Sequence, residues 1–439
     1  MSTHFPRVHS IDGIPVLVES SNAIPVIHVS VATRHGAALE PTGKEGLTRL
    51  TARLMRRTAG SLPLTEIERQ LDRLGISLGA DTTYSNMSLS AVVLKRSVEP
   101  CLNTLADALG KPGLAELEFS RLKRETLAEI TEGQDNDRGL ASRALRRTLF
   151  AGHPYGRSVG GTLSTIKSLL PEDARVRYRQ LLRKSDLLIG ISGDISEKDA
   201  LKFSEQLLSS IDASAPAAGD IAEPTPGQGR SITFVNKPER SQTQIFVGLI
   251  GSHPKDEDHL HLHVGNTVFG GMFSSRLMQQ VRVKRGWSYG AYSSLPLDRH
   301  RQAFSMWTFP KAEDAAACLK LELEMLSEWI EKGITEKELK SAKSMLTRSY
   351  AFMVDTASKR LGLALDEILY DLPTGYYASY TKRVADTTLD EVNSALRRRL
   401  DPTHLVVALV GTSDKVLTDV QAVMPDARTE VLPFDSEAL

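Results

Sequence analysis

The sequence has little cysteine, no net charge and no long apolar segment. Its 439 residues include two cysteines, 54 basic and 54 acidic side chains. Two cysteines are too few for a disulfide framework, and zero formal charge disfavours a dedicated nucleic-acid or anionic-membrane binder. No run approaches the ~20 apolar residues that span a bilayer. Residues 1–10 lack the apolar core of a signal peptide, so we expect a cytoplasmic protein, or a periplasmic one if the sequence is a processed form.

A linker and a repeated pattern divide the chain into two halves. Residues 210–230 are rich in Ala, Pro and Gly and lack an apolar period, which is typical of a linker. On either side, strand and helix patterns recur in the same order, with Cys101 and Cys318 at corresponding positions 217 residues apart. The predicted fold class is α+β, with two duplicated halves, 1–209 and 231–439, each a mixed, mainly antiparallel sheet covered by helices on one face.

Local patterns predict details within these halves. The segments "IPVLVES" and "IPVIHVSVAT", with Asn22 in their connection, are expected to form a hairpin. Thr65 with Glu68, and Thr335 with Glu338, have the spacing of helix capping boxes.

Residues 45–60, "EGLTRLTARLMRRTAG", predict an amphipathic helix. Its apolar positions share one face and its arginines lie off that face. The apolar positions are Leu47, Leu50 and Leu54.

Three histidines form a second pattern of interest. His259 and His263 have the i, i+4 spacing of metal ligands on a helix, with His261 between them. No glutamate stands between them, so a solvated helix start is preferred over a metal site.

Five segments, in this order, resemble the pitrilysin/insulinase superfamily of zinc peptidases (the inverzincins), especially its short, two-half members. They are residues 45–60, "LGISLGADTTY" (74–84), "HPYG" (153–156), "NKPERSQTQIFVG" (236–248) and "FGGMFSSRLMQQVRVKRGWSYGAYS" (269–293). The last is the most specific, because it follows the family's Gly-Gly…Ser-Ser-Arg-Leu…Arg-x-Lys-Arg-Gly-x-x-Tyr pattern nearly position by position.

The resemblance implies that the family's zinc motif is degenerate here. In His-x-x-Glu-His the histidines bind zinc and the glutamate acts as base; the corresponding residues are Arg49, Ala52 and Arg53. Arginine has no lone pair for a metal. Glu129, 76 residues after Arg53, corresponds to the third ligand and is expected to pair with Arg49 or Arg53, or to be solvated. We therefore expect no cofactor in this chain and zinc in a partner subunit.

The resemblance also implies a catalytic pair in the second half. Arg282 and Tyr289 match the family's Arg/Tyr pair, which reaches the peptide bond from the side opposite the metal. A cation and a phenol there would stabilise negative charge that develops on the carbonyl oxygen. Arg282 should close a helix that begins after Gly271, and Tyr289 should open the strand beyond the Gly286 turn. Without the resemblance, they would be a solvated helix charge and a half-buried strand aromatic.

Six residues are candidate substrate-binding positions. The first four lie in "GADTTY", the expected sheet edge to which an unfolded peptide adds as a strand. The other two are glycines expected to allow a tight turn before the helix that carries Arg282. The six are Gly79, Ala80, Asp81, Thr82, Gly270 and Gly271.

These features together predict the metal-free subunit of a heterodimeric zinc metallopeptidase, inactive alone. Its partners would be a homologous subunit that carries the zinc motif and unfolded peptide substrates, with no nucleic acid and no membrane. The alternatives are a non-catalytic structural or assembly subunit and a homodimeric peptide-binding protein.

Overall fold

The structure, a computed structural model, describes residues 5–57, 59–60, 62–211 and 219–439. The middle of the predicted linker, residues 212–218, lies outside the described residues.

The chain forms two compact units, here called unit 1 and unit 2. Unit 1 contains the described residues of 1–130, 158–221 and 351–378, and unit 2 contains 131–157, 222–350 and 379–439. The units are defined by which residues pack together, whereas the predicted halves are defined by the repeat in the sequence. The boundaries of the halves stay a prediction.

Each unit is built on one six-stranded sheet. The strands are β1 (Arg7–Ile11), β2 (Ile14–Ser20), β3 (Val26–Thr33), β4 (Ser77–Thr82), β5 (Met87–Leu94), β6 (Leu187–Gly193), β7 (Ser231–Asn236), β8 (Gln244–Ile250), β9 (Ala291–Ser294), β10 (Ala303–Thr308), β11 (Val406–Gly411) and β12 (Arg428–Pro433).

Helices connect and cover these strands. They are α1 (Leu47–Arg57), α2 (Leu64–Leu74), α3 (Val98–Gly110), α4 (Glu116–Glu132), α5 (Asp137–Leu149), α6 (Leu163–Ser168), α7 (Pro171–Leu181), α8 (Glu197–Ser209), α9 (His259–Asn266), α10 (Ala315–Lys332), α11 (Glu336–Met353), α12 (Ala357–Leu369), α13 (Tyr380–Asp386), α14 (Leu389–Arg399) and α15 (Ser413–Val423). Two π-helical segments, Thr267–Gly271 and Met278–Val283, follow α9.

The strand order confirms the predicted duplication and mixed sheets. Unit 1 has the order β1-β2-β6-β3-β5-β4 and unit 2 the order β12-β7-β11-β8-β10-β9. Except for the outer strands β1 and β12, each strand of one sheet has an equivalent at the same place in the other. In both sheets one central pair is parallel, β2 with β6 and β7 with β11, and the next three pairs are antiparallel.

The predicted hairpin of "IPVLVES" with "IPVIHVSVAT" is wrong. These segments are β2 and β3, and β6 lies between them and pairs with both. Every residue of β6 is buried, and a strand that is buried on both faces belongs in the middle of a sheet rather than at its edge. The hairpin that forms joins β1 to β2 across Asp12 and Gly13, which both have positive φ.

Helices cover both faces of each sheet. In unit 1, the larger layer includes α1, α3 and α7 and packs on residues such as Val16 and Val29. A single helix, α12, covers the opposite face through a smaller core that includes Leu17, Leu188 and Leu361. In unit 2, α5 packs in the same way on β7, β8 and β11. The structure thus adds one helix per sheet to the predicted one-sided helical layer.

One of the two predicted capping boxes forms. At α11 the Thr335 amide donates to Glu338 at 2.8 Å and the Glu338 amide donates to Thr335 at 3.3 Å. The box predicted from Thr65 and Glu68 is wrong, because α2 begins at Leu64 after Pro63. Glu68 instead accepts a hydrogen bond from Arg56, so a tertiary contact replaces the local cap.

Both cysteines are buried, as expected for small apolar side chains. Within the described residues, none of the helices has the length and apolar character that crossing a bilayer requires.

Glu322 on α10 is a buried acid in the core of unit 2. Cys318 Sγ lies 4.0 Å from its Oε1, and its Oε2 is buried with no hydrogen-bond partner among the described residues. Burial disfavours the charged carboxylate and raises the pKa of Glu322 to about 8. Between about pH 4.5 and pH 8, the carboxyl group of Glu322 is therefore protonated in the folded protein and ionised in the unfolded chain.

This proton makes the stability of unit 2 depend on pH. Because the pKa of Glu322 is higher in the folded state, the free energy of unfolding should fall as pH rises from about 4.5 to about 8. Each unit of pKa corresponds to about 1.4 kcal/mol, so Glu322→Gln should be more stable than the wild type by a few kcal/mol at pH 9. At pH 4 the two should be similar. Chemical denaturation at both pH values measures this difference.

Glu324→Gln is the matched control, because Glu324 is exposed on the same helix. Its stability should follow that of the wild type at both pH values. An unchanged pH profile in Glu322→Gln would contradict a protonated Glu322.

Candidate functional site

The helix predicted from residues 45–60 is α1, and its two faces differ as expected. Leu47, Leu50 and Leu54 are buried in the core of unit 1, and so is Ala52, which is 1% exposed. Glu40 anchors the start of the helix, because its carboxylate accepts hydrogen bonds from the amides of Gly46 and Thr48. Arg49, Arg53 and Arg57 lie on the side of α1 that faces α4, where they reach glutamates of that helix.

Glu129 on α4 pairs with both arginines at the former motif positions, which confirms the predicted pairing. Arg53 binds it as a fork, with Nη2 2.7 Å from Oε1 and Nη1 3.0 Å from Oε2. Both Nη atoms of Arg49 lie 3.2 Å from Oε2. Burial alone would raise the pKa of Glu129, but the hydrogen bonds and charges of Arg53 and Arg49 outweigh it and lower that pKa.

A second fork extends this contact into a ladder. Arg57, one turn beyond Arg53, donates to Glu125 with distances of 3.0 and 2.5 Å. The hydrogen bond from Arg57 is the main cause that lowers the pKa of Glu125. We call this set the Arg/Glu ladder; its members are Arg49, Arg53, Arg57, Glu125 and Glu129.

The ladder can crosslink two helices but cannot hold a catalytic metal. Guanidinium groups have no lone pair to donate, and the Glu129 oxygens are already taken by Arg49 and Arg53. Ala52 offers no base. Among the described residues, no cluster of three or more His, Cys, Asp or Glu side chains could bind a metal ion. Pairs this exposed contribute modestly, about 0.5 kcal/mol each.

Sequence reasoning missed Arg57 and Glu125. The signal was present, because each lies four residues from a predicted member, Arg53 or Glu129, and so shares its helix face.

His259 and His263 of α9 make internal contacts, so the predicted solvated helix start is wrong for these two, whereas His261 is partly exposed. His259 is 3% exposed, and its Nδ1 lies 2.7 Å from Ser252 Oγ. His263 Nε2 lies 3.2 Å from the Tyr380 hydroxyl. Burial lowers the pKa of His259 to about 3 and that of His263 to about 4. Both rings are therefore neutral side chains that bind separate partners.

Arg282 and Tyr289 lie together in unit 2. Arg282 is near the end of the π-helical segment Met278–Val283, and Gly286 turns the chain with a φ of +66°. Tyr289 comes two residues before β9 rather than opening that strand, and the segment of Arg282 is π-helical. The guanidinium lies over the Tyr289 ring, with 4.1 Å between Cζ and the ring centre.

Neither polar group of this pair is used by the fold. Tyr289 is 74% exposed. Arg282 also lies 5.2 Å from the ring of Phe273, another exposed aromatic that sequence reasoning missed. Within residues 5–57, 59–60, 62–211 and 219–439, the Arg282 guanidinium and the Tyr289 hydroxyl have no hydrogen bond or ion pair. Donors held in place but unsatisfied can stabilise charge on a bound group.

Gly270 and Gly271 close the π-helical segment that precedes this pair. A Cβ on Gly270 would lie 2.4 Å from the amide nitrogen and from Oγ of Ser293 on β9. The glycine is therefore required by close packing against β9 rather than by a left-handed turn, since neither residue has a positive φ. Their predicted role in substrate binding stays a prediction.

The other four substrate candidates lie on an edge strand. Gly79, Ala80, Asp81 and Thr82 belong to β4, which is last in its sheet and, among the described strands, pairs only with β5. Arg56 Nε donates to the Leu78 carbonyl at 2.7 Å and so occupies that main-chain acceptor. The part of β4 after Leu78 is not bound by this arginine. An edge of this kind can accept main-chain hydrogen bonds from an added strand.

Comparisons with known proteins agree on one family. The family described as "Insulinase (Peptidase family M16)" matches residues 15–163, and "Peptidase M16 inactive domain" matches residues 169–346. The "Non-peptidase homolog YmxG" of Helicobacter pylori is 22% identical over 403 residues, 92% of this chain and 93% of that protein. The "Uncharacterized zinc protease YmxG" of Bacillus subtilis is 23% identical over 350 residues, 80% of this chain and 84% of that protein.

A solved structure has the same fold. The crystal structure of a peptidase M16 inactive domain from Pseudomonas fluorescens has a TM-score of 0.87 at 24% identity and covers 93% of this chain and 98% of its own.

Replacing Arg49 and Arg53, the two ladder arginines that bind Glu129, by histidine should create a zinc site. In Arg49→His/Arg53→His, two imidazoles one turn apart would face Glu129, whose carboxylate already reaches both positions. The variant should bind one zinc ion per chain, and the wild type should bind none. Competition with a chromophoric chelator measures the affinity.

The same double variant with Glu129→Gln is the control. Its zinc affinity should be at least about tenfold lower than that of the double variant. Loss of a group that only supports a metal ligand already lowers affinity by about tenfold or more, and Glu129 would be a ligand itself. Equal affinity in the two variants would rule out Glu129 as a ligand.

Proposed function

We propose that this chain, which belongs to peptidase family M16, is a metal-free subunit that supplies Arg282 and Tyr289 to the active site of a zinc-bearing partner. The observation that carries the proposal is the stacked pair itself. An exposed phenol and a guanidinium lie together, with 4.1 Å between Cζ and the ring centre, and their donors have no hydrogen-bond partner in the described part of the chain.

The ladder supports the metal-free half of the proposal. Arg49 and Arg53 occupy both oxygens of Glu129, and Ala52 replaces the base. The match to an inactive M16 domain and the similarity to a relative named as a non-peptidase homologue point in the same direction. Zinc does not fit these residues, so any metal must come from the partner.

The chemistry of the pair suits acyl transfer from a peptide. Attack on the carbonyl carbon moves negative charge to the carbonyl oxygen, and the Tyr289 O–H and the Arg282 N–H groups can donate to that oxygen. Stacking on the ring limits the guanidinium to few orientations, so little reorganisation is needed when charge develops.

We further propose that the substrate is an unfolded peptide. It would add as a strand along Gly79–Thr82, where main-chain hydrogen bonds make few demands on sequence. The compartment stays as predicted from the sequence, the cytoplasm or, for a processed chain, the periplasm.

A non-catalytic structural or assembly subunit is the second candidate. The specific observation in its favour is the closed ladder, which fills the family's metal position with ion pairs that stabilise α1 against α4. In that case the Arg/Tyr pair would contribute nothing to any reaction of the assembly.

The isolated chain should cleave no peptide. Unfolded fluorogenic peptides should stay intact with the chain alone at saturating zinc, and cleavage should begin when a homologous His-x-x-Glu-His subunit is added. Chelator-sensitive cleavage by the chain alone would contradict a metal-free subunit.

Within the reconstituted complex, Tyr289→Phe should lower kcat by about 10²–10³ with little change in KM, because only the donated O–H is lost. Arg282→Ala should lower kcat and also raise KM, since a cation can hold the carbonyl before reaction. Steady-state kinetics measures both, and size-exclusion chromatography checks assembly.

Arg285→Ala is the control for these variants. Arg285 lies three residues beyond Arg282, but its guanidinium donates to Gln280 of its own segment. It should react at the wild-type rate. Wild-type rates in assembled Tyr289→Phe and Arg282→Ala complexes would instead favour the structural subunit.

A further inference from the structure

A row of aromatic side chains crosses one face of the sheet of unit 2. Trp307 on β10 pairs in register with Phe246 on β8 and with Tyr292 on the edge strand β9. The Trp307 ring stacks on Tyr292 with centres 6.2 Å apart and on Phe309 with centres 4.9 Å apart. We call Tyr292, Trp307 and Phe309 the aromatic shelf.

The shelf is accessible, whereas the other face of the same strands is core. Tyr292 is 41% exposed, while Ala291 and Met306, which point the opposite way, are 0% exposed. On the face of the sheet that carries the shelf, α5 covers the neighbouring strands β7, β8 and β11. Trp307 is held in one orientation, because its Nε1–H donates to Gln244 Oε1 at 2.9 Å.

Arg138, in the first turn of α5, lies over Trp307. Its Cζ is 3.6 Å from the centre of a Trp307 ring, and its side chain is exposed. Among the described parts of the chain, Arg138 has no hydrogen bond and no ion pair. A guanidinium stacked flat on a ring keeps its N–H fork open at the edge, where it fits a carboxylate with two hydrogen bonds.

Hydrogen bonds and close packing connect the shelf to the backbone on either side of Tyr289. Ser288 Oγ accepts a hydrogen bond from the Phe309 amide at 2.9 Å and donates to the Gly290 carbonyl at 2.6 Å. A Cβ on Gly290 would lie 2.9 Å from the Tyr292 ring and 3.2 Å from the Phe309 ring. The rings therefore close over the backbone next to Tyr289, and a chain that reaches Tyr289 can continue onto the shelf.

We propose that the aromatic shelf and Arg138 form a binding subsite for a peptide segment in which a carboxylate neighbours an aromatic side chain. The inference rests on the proposed function in taking the ligand to be an unfolded peptide. The carboxylate of a Glu or Asp side chain binds the Arg138 fork, and the neighbouring aromatic side chain packs on Tyr292 and Phe309.

Charge and ring chemistry select this ligand over other peptides. An arginine without an internal partner gains most from an anionic group, and a lysine placed there would be repelled. An aromatic side chain gains both apolar burial and offset stacking on the shelf, whereas alanine gains little of either. Because Arg138 is exposed, the preference for the carboxylate should weaken with added salt.

Equilibrium binding to the full chain tests the subsite without a partner or cleavage. The probe is a fluorescein-labelled twelve-residue Gly/Ser peptide that carries one Glu-Phe pair, and its matched peptides carry Gln-Phe or Glu-Ala. Fluorescence anisotropy should give a Kd about tenfold lower for Glu-Phe than for either matched peptide, the difference expected for one charge-assisted contact or one stacked ring.

Variants assign the two halves of this preference. Arg138→Gln should bind Glu-Phe and Gln-Phe equally. Trp307→Leu should lose the preference for Phe over Ala. If Trp307→Leu does not fold, Tyr292→Ser should show the same loss, because Tyr292 is exposed on the edge strand and is not part of the core. Arg397→Gln is the control, because it removes an exposed guanidinium of unit 2 that has no ring or carboxylate partner among the described residues. It should match the wild type.

The subsite is overturned if the wild type binds none of the peptides, binds all three equally, or keeps its Glu preference in Arg138→Gln. A complex that cleaves no peptide while its isolated chain prefers Glu-Phe refutes only the proposed function. A complex that cleaves peptides while the chain shows no preference refutes only the subsite.

Discussion

Every residue of strands β6 and β11 is buried, and Ser192 of β6 is the one polar side chain in these two strands. A strand of this kind needs a sheet that is covered on both faces. The larger helical layer covers one face, and one helix, α12 in unit 1 and α5 in unit 2, covers the other. Close packing of these helices requires glycine in the sheet. A Cβ on Gly190 would lie 3.0 Å from Leu361, and one on Gly248 would lie 2.9 Å from Leu145.

This two-sided cover positions the candidate sites. Because helices cover the centre of each sheet, the surfaces open to ligands lie toward its edges, and β4 and β9 are edge strands. The peptide edge candidate lies on β4. The Arg/Tyr pair and the aromatic shelf both lie beside β9, and Arg138 reaches the shelf only because α5 covers the rest of that face.

The arginines fall into classes that have different physical consequences. Arg177 is buried, and its guanidinium donates to Thr48 and to the Gly36 carbonyl, so it belongs to the core. Arg53 is bound in a fork by Glu129 and crosslinks two helices. Arg282 and Arg138 have only ring partners among the described residues, so their donors remain available to a ligand. Residue type alone does not separate these classes, whereas the partner of each guanidinium does.

Local sequence patterns were sufficient to predict features that depend on a single helix or on the repeat. The leucine face of α1, the cap at Thr335 and the equivalence of Cys101 with Cys318 follow from spacing along one segment, which a helix or a repeat converts directly into geometry. The pairing of Glu129 with arginine was predictable because the family motif gave both positions. The cap predicted at Thr65 failed because α2 begins at Leu64, before Thr65, and Glu68 binds Arg56 of another helix instead.

The sequence by itself determined the α+β class and the duplication, because these depend on residue type and order, and its family resemblance identified Arg49, Ala52, Arg53, Arg282 and Tyr289 as candidate site positions. Only the tertiary structure decided that β6 separates β2 from β3, that His259 is buried, and that Trp307 meets Arg138. The physical reason is separation along the chain. Arg138 and Trp307 are 169 residues apart, and such a contact depends on where the sheet and α5 pack rather than on any local period.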